Sequence, residues 1–321
     1  MKRLKAKFGM IVLAGLLSAG VSSCNHKDLD VLGEQTEIEI VYDWRYAPDA
    51  SPASMAAYLY SDQLDEALRY IFSGRDGGPT HIPAGLYGGL GMNSDETDWA
   101  QYRNRDDIES FEIYTHEAES LSAYGISTRA IPRADGAEDE KVVETPGMVW
   151  ADRQDEIEVY PKAGRTVITF YPQEAVCHYT VDVLDVKNID NMPSGSIDGT
   201  LSGMSEGFVY GKRNASDTKV TLPFELRKAE DGVNSLHGEF LTFGESPVTQ
   251  NAHKLVIYYV LTDGTKHYAT FDVTDQVTKA PDPRHVHIVV RGLDFPSPVA
   301  TGPGFVPDVD EWVAVNINLK M

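Results

Sequence analysis

The sequence predicts an all-β protein, two tandem antiparallel β-sandwiches behind a cleaved leader. Three observations carry this. Short segments with apolar residues at every second position recur along the chain. Gly, Pro, Asn and Asp punctuate the stretches between them. Helix-face periodicity is scarce. At 321 residues the chain is long enough for two domains with cores of their own, without disulfide support.

The first element is the leader. Residues 1–7, MKRLKAK, are basic; residues 8–17, FGMIVLAGLL, are apolar; residues 18–23, SAGVSS, are small. That is the layout of a secretory signal peptide. Its apolar core is shorter than the roughly 20 residues that cross a bilayer. A plain signal peptide does not account for Cys24. The stretch VSSC resembles a bacterial lipobox, which implies cleavage between Ser23 and Cys24 and acylation of the Cys24 thiol by palmitate-like chains. Small residues admit the backbone to the peptidase, and sulfur takes the diacylglyceryl group. One acyl chain holds a protein only marginally, at about 0.8 kcal/mol per buried CH₂, whereas two or three hold it permanently. Behind Cys24, NHKDLD partly resembles the Lys-then-acid tag of surface-exposed Bacteroidales lipoproteins, and residues 24–34 read as a linker. The expected location is therefore the outer membrane, lipid-anchored and facing the cell exterior.

Charge bears on the partners. The four cations of the leader (Lys2, Arg3, Lys5, Lys7) leave 24 of 28 for the remainder, against 49 acids, so that remainder carries −25. Such a surface repels phosphate backbones, and no nucleic-acid partner is expected.

The strands follow in order. In TEIEIVYDW (36–44), Ile38, Ile40, Tyr42 and Trp44 share one face. SDQLDEALRYIF (61–72) reads as a short helix capped by Ser61, or as a loop between strands. The polar, acidic segment from Tyr124 to Pro146 reads as a long exposed loop. A new strand set begins near DEIEVYPKAGRTVITFYP, and Pro161 and Gly164 place the domain border there, giving domains 35–160 and 161–321. Cys177, in AVCHYTVDV, reads as a buried small apolar residue of a strand rather than a nucleophile. In KVTLPFEL, Val220, Leu222, Phe224 and Leu226 face inward, and Pro223 marks an edge strand or a bulge. KLVIYYVLTDGTKHYATFDV reads as a hairpin with a two-residue type I′ turn at Asp263-Gly264. HVHIVV and WVAVNINL complete the set, the latter with Val313, Val315, Ile317 and Leu319 on one face.

No constellation points to catalysis or to a cofactor, so the chain is expected not to be an enzyme. The glycines of FSGRDGGPTHIPAGLYGGLG lack the Lys-Ser/Thr ending of a phosphate loop and read as turn-forming. NSDETD (93–98) gathers Asp95, Glu96 and Asp98 without the spacing of a calcium loop, and reads as acidic surface. His285 and His287 share a strand face but have no partner pair at zinc-site spacing. FGESP is not a nucleophile elbow. Of the four tryptophans, Trp44 and Trp312 lie in strands and read as packing; Trp99 and Trp150 lie nearer loops and are the candidate ligand-contacting aromatics.

YDW (42–44), MAAYLY (55–60), IPAGLYGGLGMNSDETD (82–98), GTLSGMSEGF (199–208), VTLPFEL, LTFG (241–244), LTDGTKHYATFDVTDQV (261–277) and GFVPDVDEWVAVNI (304–317) together resemble an uncharacterised family of Bacteroidales lipoproteins related to fimbrial anchor subunits. The likeness spans nearly the whole chain after the leader. It implies two transthyretin-like sandwiches and a fimbrium-like fibre whose pilin subunits join by β-strand addition, in which an extended strand enters a groove of its neighbour. An anchor or accessory subunit held through lipid on Cys24 is the role it implies for this chain. The alternative is a surface glycan-binding lipoprotein using Trp99 and Trp150.

Overall fold

The computed structural model describes residues 35–94, 98–123, 125–161, 165–192, 196–229, 234–248, 252–298 and 311–315. Ser23, Cys24 and the leader lie outside the described residues, as do Asp95 and Glu96. Among the described residues, strands form four sheets, and the expected all-β class holds.

The first sandwich packs a three-stranded sheet on a five-stranded one. The smaller contains β1 (Gln35–Tyr42) between β4 (Gly77–Pro83) and β10 (Thr166–Phe170). The larger has the order β11-β9-β5-β2-β3, with β2 Ser54–Tyr60, β3 Leu68–Ser73, β5 Gly85–Asn93, β9 Trp150–Val159 and β11 Gln173–Glu174. Alternation puts Ile38, Ile40 and Tyr42 of β1 inward, where they meet Met55, Ala57 and Leu59 of β2 and Phe170 of β10. Residues 61–67 are turn and bend, and the apolar half of the segment read as helix or loop is strand β3, paired with β2 from Ser54↔Ser73 to Leu59↔Leu68. Cross-strand pairing of Tyr70 and Phe72 outweighs the weak helical spacing.

Of the glycines read as turn-forming, Gly74 does lie in the bend between β3 and β4, with φ at 74°, whereas the others lie within β4 and β5. A Cβ on Gly91 would come within 2.7 Å of Phe170 and 2.8 Å of Tyr42, so a bare backbone is what lets those two rings stack at 5.6 Å. Strand pairing also runs past the expected border at residue 161. β10 joins β1 in parallel, and β11 joins β9, so Pro161 interrupts two strands of one sandwich.

The second sandwich is one sheet of nine strands curled on itself, in the order β20-β12-β17-β16-β13-β18-β19-β21, with β8 beside β16. The ranges are β8 Lys141–Val142, β12 Cys177–Leu184, β13 Ser196–Ser205, β16 Lys219–Lys228, β17 Leu236–Thr242, β18 Lys254–Val260, β19 Lys266–Asp272, β20 His285–Arg291 and β21 Trp312–Ala314. Its inner faces share one core, with Val181, Leu222, Phe240, Ile257, Phe271 and Ile288 among its members. Pro223 pairs with Thr200 of β13. On its other side β8 pairs at Val220 and Thr221, and β17 only at Arg227 and Lys228. The proline therefore occupies the gap between two partners, where no ladder N–H is needed. The β18–β19 connection is wider than a two-residue turn. Leu261 N–H donates to Thr265 O at 2.9 Å, Gly264 N–H to Leu261 O at 2.9 Å, and of Asp263 and Gly264 only the glycine has positive φ, at 85°. That is a turn closed by a glycine bulge.

A small fourth sheet ties the halves together. Strands β6 (Ala100–Arg103) and β7 (Glu112–Thr115) pair with β14 (Gly207–Val209) and β15 (Asn214–Ala215). It covers the outer face of β2 and β5, where Tyr58, Leu90 and Met92 meet Phe111 and Tyr210. This explains why MAAYLY is apolar at every position: β2 is buried on both faces.

The segment read as an exposed loop is a packed strap. Leu121, Ile131, Ala134 and Ala137 are buried against Val256 and Tyr258 on the outer face of β18. Asp135, Glu138, Asp139 and Glu144 face solvent, Glu140 turns inward, and small and branched side chains at irregular spacing do the packing.

Candidate functional site

The curled sheet ends in two edges that face one another. On one side, among the described residues, β20 pairs only with β12, in parallel, from His178↔His285 to Leu184↔Arg291. On the other, β19 carries β21, also in parallel, at Lys266↔Trp312, His267↔Val313 and Tyr268↔Ala314. Following the pairing directions round the sheet, β19 and β21 run opposite to β20. Between them lies a groove of about 710 Å³, lined by Tyr268, Thr270, Phe271 and Asp272 of β19, Val289, Val290 and Arg291 of β20, and Ala314 and Val315 at the end of β21. Inside, Phe271 and Val290 belong to the core of the sandwich. At the rim, Lys254 pairs with Asp272 and Arg291 with Asp185. The Lys254 hydrogen bond, and then those from the Thr274 hydroxyl and N–H, hold the Asp272 carboxyl down to about 2.

The lower end of the groove is closed by a five-residue helix, α1 (Thr274–Thr278), anchored by buried Val277. Its Gln276 reaches the free edge of β20. Val289 N–H donates to Gln276 Oε1 at 2.8 Å, and Gln276 Nε2 donates to Val289 O at 3.0 Å. One side-chain amide thus makes the pair of bonds that the peptide of an adjoining strand would make. Unpaired strand edges invite a further strand, and covering them is how folded proteins prevent it.

The upper end is held by Trp312. Its indole meets Tyr258 edge to face, with centroids 5.4 Å apart, and its Nε1–H donates to Ala130 O at 3.0 Å. Tyr258 donates its hydroxyl to Pro132 O at 2.7 Å, and burial pushes that phenol up to about 12. The strap is fastened in turn by Glu140, whose carboxylate accepts from Gly203 N–H at 3.0 Å and Thr221 Oγ1 at 2.9 Å. Desolvation raises the Glu140 carboxyl above the ordinary range despite those bonds. In β21 the strap side takes Trp312, while Val313 is half-exposed.

Among the residues singled out from sequence, Trp99 and Trp150 are both half-buried and stand in different clusters. Trp99 lies over Gly147 beneath the small sheet. Trp150 packs edge-on to Trp44 at 6.1 Å in the first core. Cys177 is half-buried at the margin of the second core, and burial pushes its thiol up. His285 and His287 do share the outer face of β20, and each has its own carboxylate, Asp282 at 2.9 Å and Asp182 at 2.7 Å. Asp182 also accepts from His237 at 2.7 Å. Gln276 was not legible as a site residue: its bond joins positions 13 apart, and no periodicity reports a side chain standing in for a strand.

Among proteins of known description, the chain is 21% identical over 282 residues to the Bacteroides ovatus protein described as a candidate fimbrium anchoring subunit, Fim4B, covering 84% of this chain and 79% of that one. The crystal structure of an adhesin candidate from Bacteroides ovatus superposes with a TM-score of 0.63 at 20% identity, covering 83% of this chain and 95% of that one, and shares its fold. The expected kinship with relatives of fimbrial anchor subunits is borne out. A family model described as a domain of unknown function (DUF5119) matches residues 23–225, more than half of the sequence, and the chain belongs to that family.

Proposed function

We propose that this chain is a surface subunit of a fimbrium-like fibre, in an anchoring or accessory position, held to the outer membrane by lipid on Cys24. The observation that supports this best is the pair of edges, β20 and β19/β21, with a groove between them that is lined by apolar and charged side chains and has Phe271 and Val290 of the core in its wall. A strand entering there antiparallel to β20 and parallel to β19 would close the sheet through main-chain hydrogen bonds, and its alternate side chains would reach the second core. The near full-length similarity to a protein named as a fimbrium anchoring subunit supports the same reading. Lipid at one end and strand addition at the other are the two attachments such a subunit needs.

The test separates the two attachments. In cells that produce the chain natively, Cys24→Ala is expected to move both the chain and a stoichiometric pilin partner out of the outer-membrane fraction. Quantitative recovery of the wild-type chain from envelopes with no pilin partner at any stoichiometry would contradict the fibre role.

A further inference from the structure

A second cavity, of about 140 Å³, stands where the two halves of the chain meet, at the margin of the cluster that packs the small sheet on the first sandwich. Leu90 of β5, Ala151 of β9 and Ala175 make its apolar side, with the rings of Phe208 and Tyr210. Phe208 is only half-buried, so part of its ring is uncovered.

Most charged groups around the cavity already have partners. Arg153 donates to Glu109, Asp155 and Gly211 O. Asp152 accepts from Tyr171 N–H at 2.9 Å and from Gln154, and Glu174 meets His178 at 3.2 Å. Two arginines at the mouth differ. Arg284, exposed and directly before β20, makes no side-chain hydrogen bond and no ion pair among the described residues. Arg213 donates one nitrogen to Arg153 O and stands 3.7 Å from Asp152, with the rest of its fork exposed. Its backbone has φ at 50°, a left-handed conformation that non-glycine residues seldom take, and its N–H donates to Tyr210 O at 3.1 Å. The charges left over at the mouth are thus guanidinium groups, which only donate. In a chain with 49 acids against 28 cations, that is a local reversal of charge.

We propose that this cavity binds a small carboxylate with an apolar body, the carboxylate between Arg213 and Arg284 and the body against Leu90, Ala151 and Phe208. A protein cavity of about 150 Å³ lined by apolar side chains takes up benzene, so the body is one ring or a branched aliphatic group of that size. A guanidinium meets a carboxylate through paired N–H bonds, which a neutral isostere of the ligand cannot accept as strongly. Leu90 and Ala151 belong to the first sandwich, whereas Phe208 and Arg284 come from the second half of the chain, so the ligand also braces the joint between them. The cavity shares no lining residue with the groove between β19 and β20, and its occupation needs no fibre.

Ligand-observed NMR titration of the full chain tests this, with benzoate as the probe, benzamide as its uncharged counterpart and acetate as a carboxylate without a body. Benzoate is expected to bind saturably, and about tenfold or more tighter than either of the others. Arg284→Gln is expected to weaken benzoate about tenfold, and Arg284→Lys to recover only part of the loss. Arg227→Gln, which removes an exposed cation of β16, is expected to leave binding unchanged. Saturating benzoate should raise the Tm of the wild-type chain more than that of Arg284→Gln, which reports binding to the folded protein. No saturation at millimolar benzoate, benzamide or acetate bound as tightly as benzoate, or unchanged affinity in Arg284→Gln would overturn the proposal. Glucuronate bound more tightly than benzoate would put a sugar in place of the apolar body and overturn it as well. Every one of these results leaves the fibre role to its own test.

Discussion

Gln276 holds Val289 by both of its backbone groups, through bonds of 2.8 and 3.0 Å. A side chain from a helix of five residues thereby occupies the free edge of β20 where a neighbouring peptide group would pair. Gln276→Ala removes both bonds and is expected to cost about 1 kcal/mol, since water replaces them at an edge. Hydrogen exchange at the Val289 amide should quicken more than at Val290. Unchanged exchange at Val289 would show that the glutamine is not what protects this edge.

Trp312 is the main side-chain fastening of β21 among the described residues, through Tyr258 and Ala130. Trp312→Ala is expected to destabilise the second sandwich by about 1–2 kcal/mol, because an edge-to-face aromatic pair and a hydrogen bond go together. Trp312→Phe should recover the ring contact but not the bond to Ala130 and fall between the two. Denaturant midpoints of the three proteins check the order.

Arg103 joins the two halves of the chain. Its guanidinium donates to Glu112 at 2.7 and 2.6 Å and to Glu206 at 3.1 Å, and both carboxylates are nearly buried. Arg103→Ala leaves two desolvated acids facing each other without a cation. The expected loss is about 2 kcal/mol, reduced from the value for a fully buried pair because Arg103 is partly exposed. Arg103→Met with Glu112→Gln and Glu206→Gln should recover much of it, because neutral amides are less costly there than unpaired charge. A triple variant no more stable than Arg103→Ala would mean that the geometry of the guanidinium, not its charge, is what matters.

Acid should weaken the rim of the groove. The Asp272 carboxyl is depressed to about 2, so its contribution is present above its unfolded value near 4 and is lost as pH falls towards 2. Exposure of this carboxylate limits the effect to a fraction of a kcal/mol. Asp272→Asn should therefore melt slightly below wild type at pH 5 and level with it at pH 2. A gap that persists at pH 2 would assign the difference to packing.

Much of the fold was legible in the residues. Ile38, Ile40 and Tyr42, or Val220, Leu222, Phe224 and Leu226, declare a strand and its inner face with no help from elsewhere. The strap was not, because Leu121, Ile131, Ala134 and Ala137 follow no period and gain their burial from a strand more than a hundred residues away. A signal for it existed on the other partner. KLVIYYV is apolar on both faces, and an antiparallel strand with two apolar faces needs a cover on each. The border near residue 161 misplaced the pairing of β10 and β11 because Pro161 breaks a strand equally well inside a sandwich and between two. Trp99 and Trp150 looked like a surface pair from their loop-side positions. Their separation into two clusters depends on which sheet each rests against, which sequence spacing does not report.

The anchoring role proposed above requires a lipid tether at residue 24, and the presence of that tether can be read directly. Intact-mass and peptide mass spectrometry of the chain recovered from native envelopes should find an N-terminus at Cys24 bearing two or three fatty acyl chains. An unmodified Cys24 thiol, or a peptide that runs uncut from Ser23 into Cys24, would contradict the account at its base.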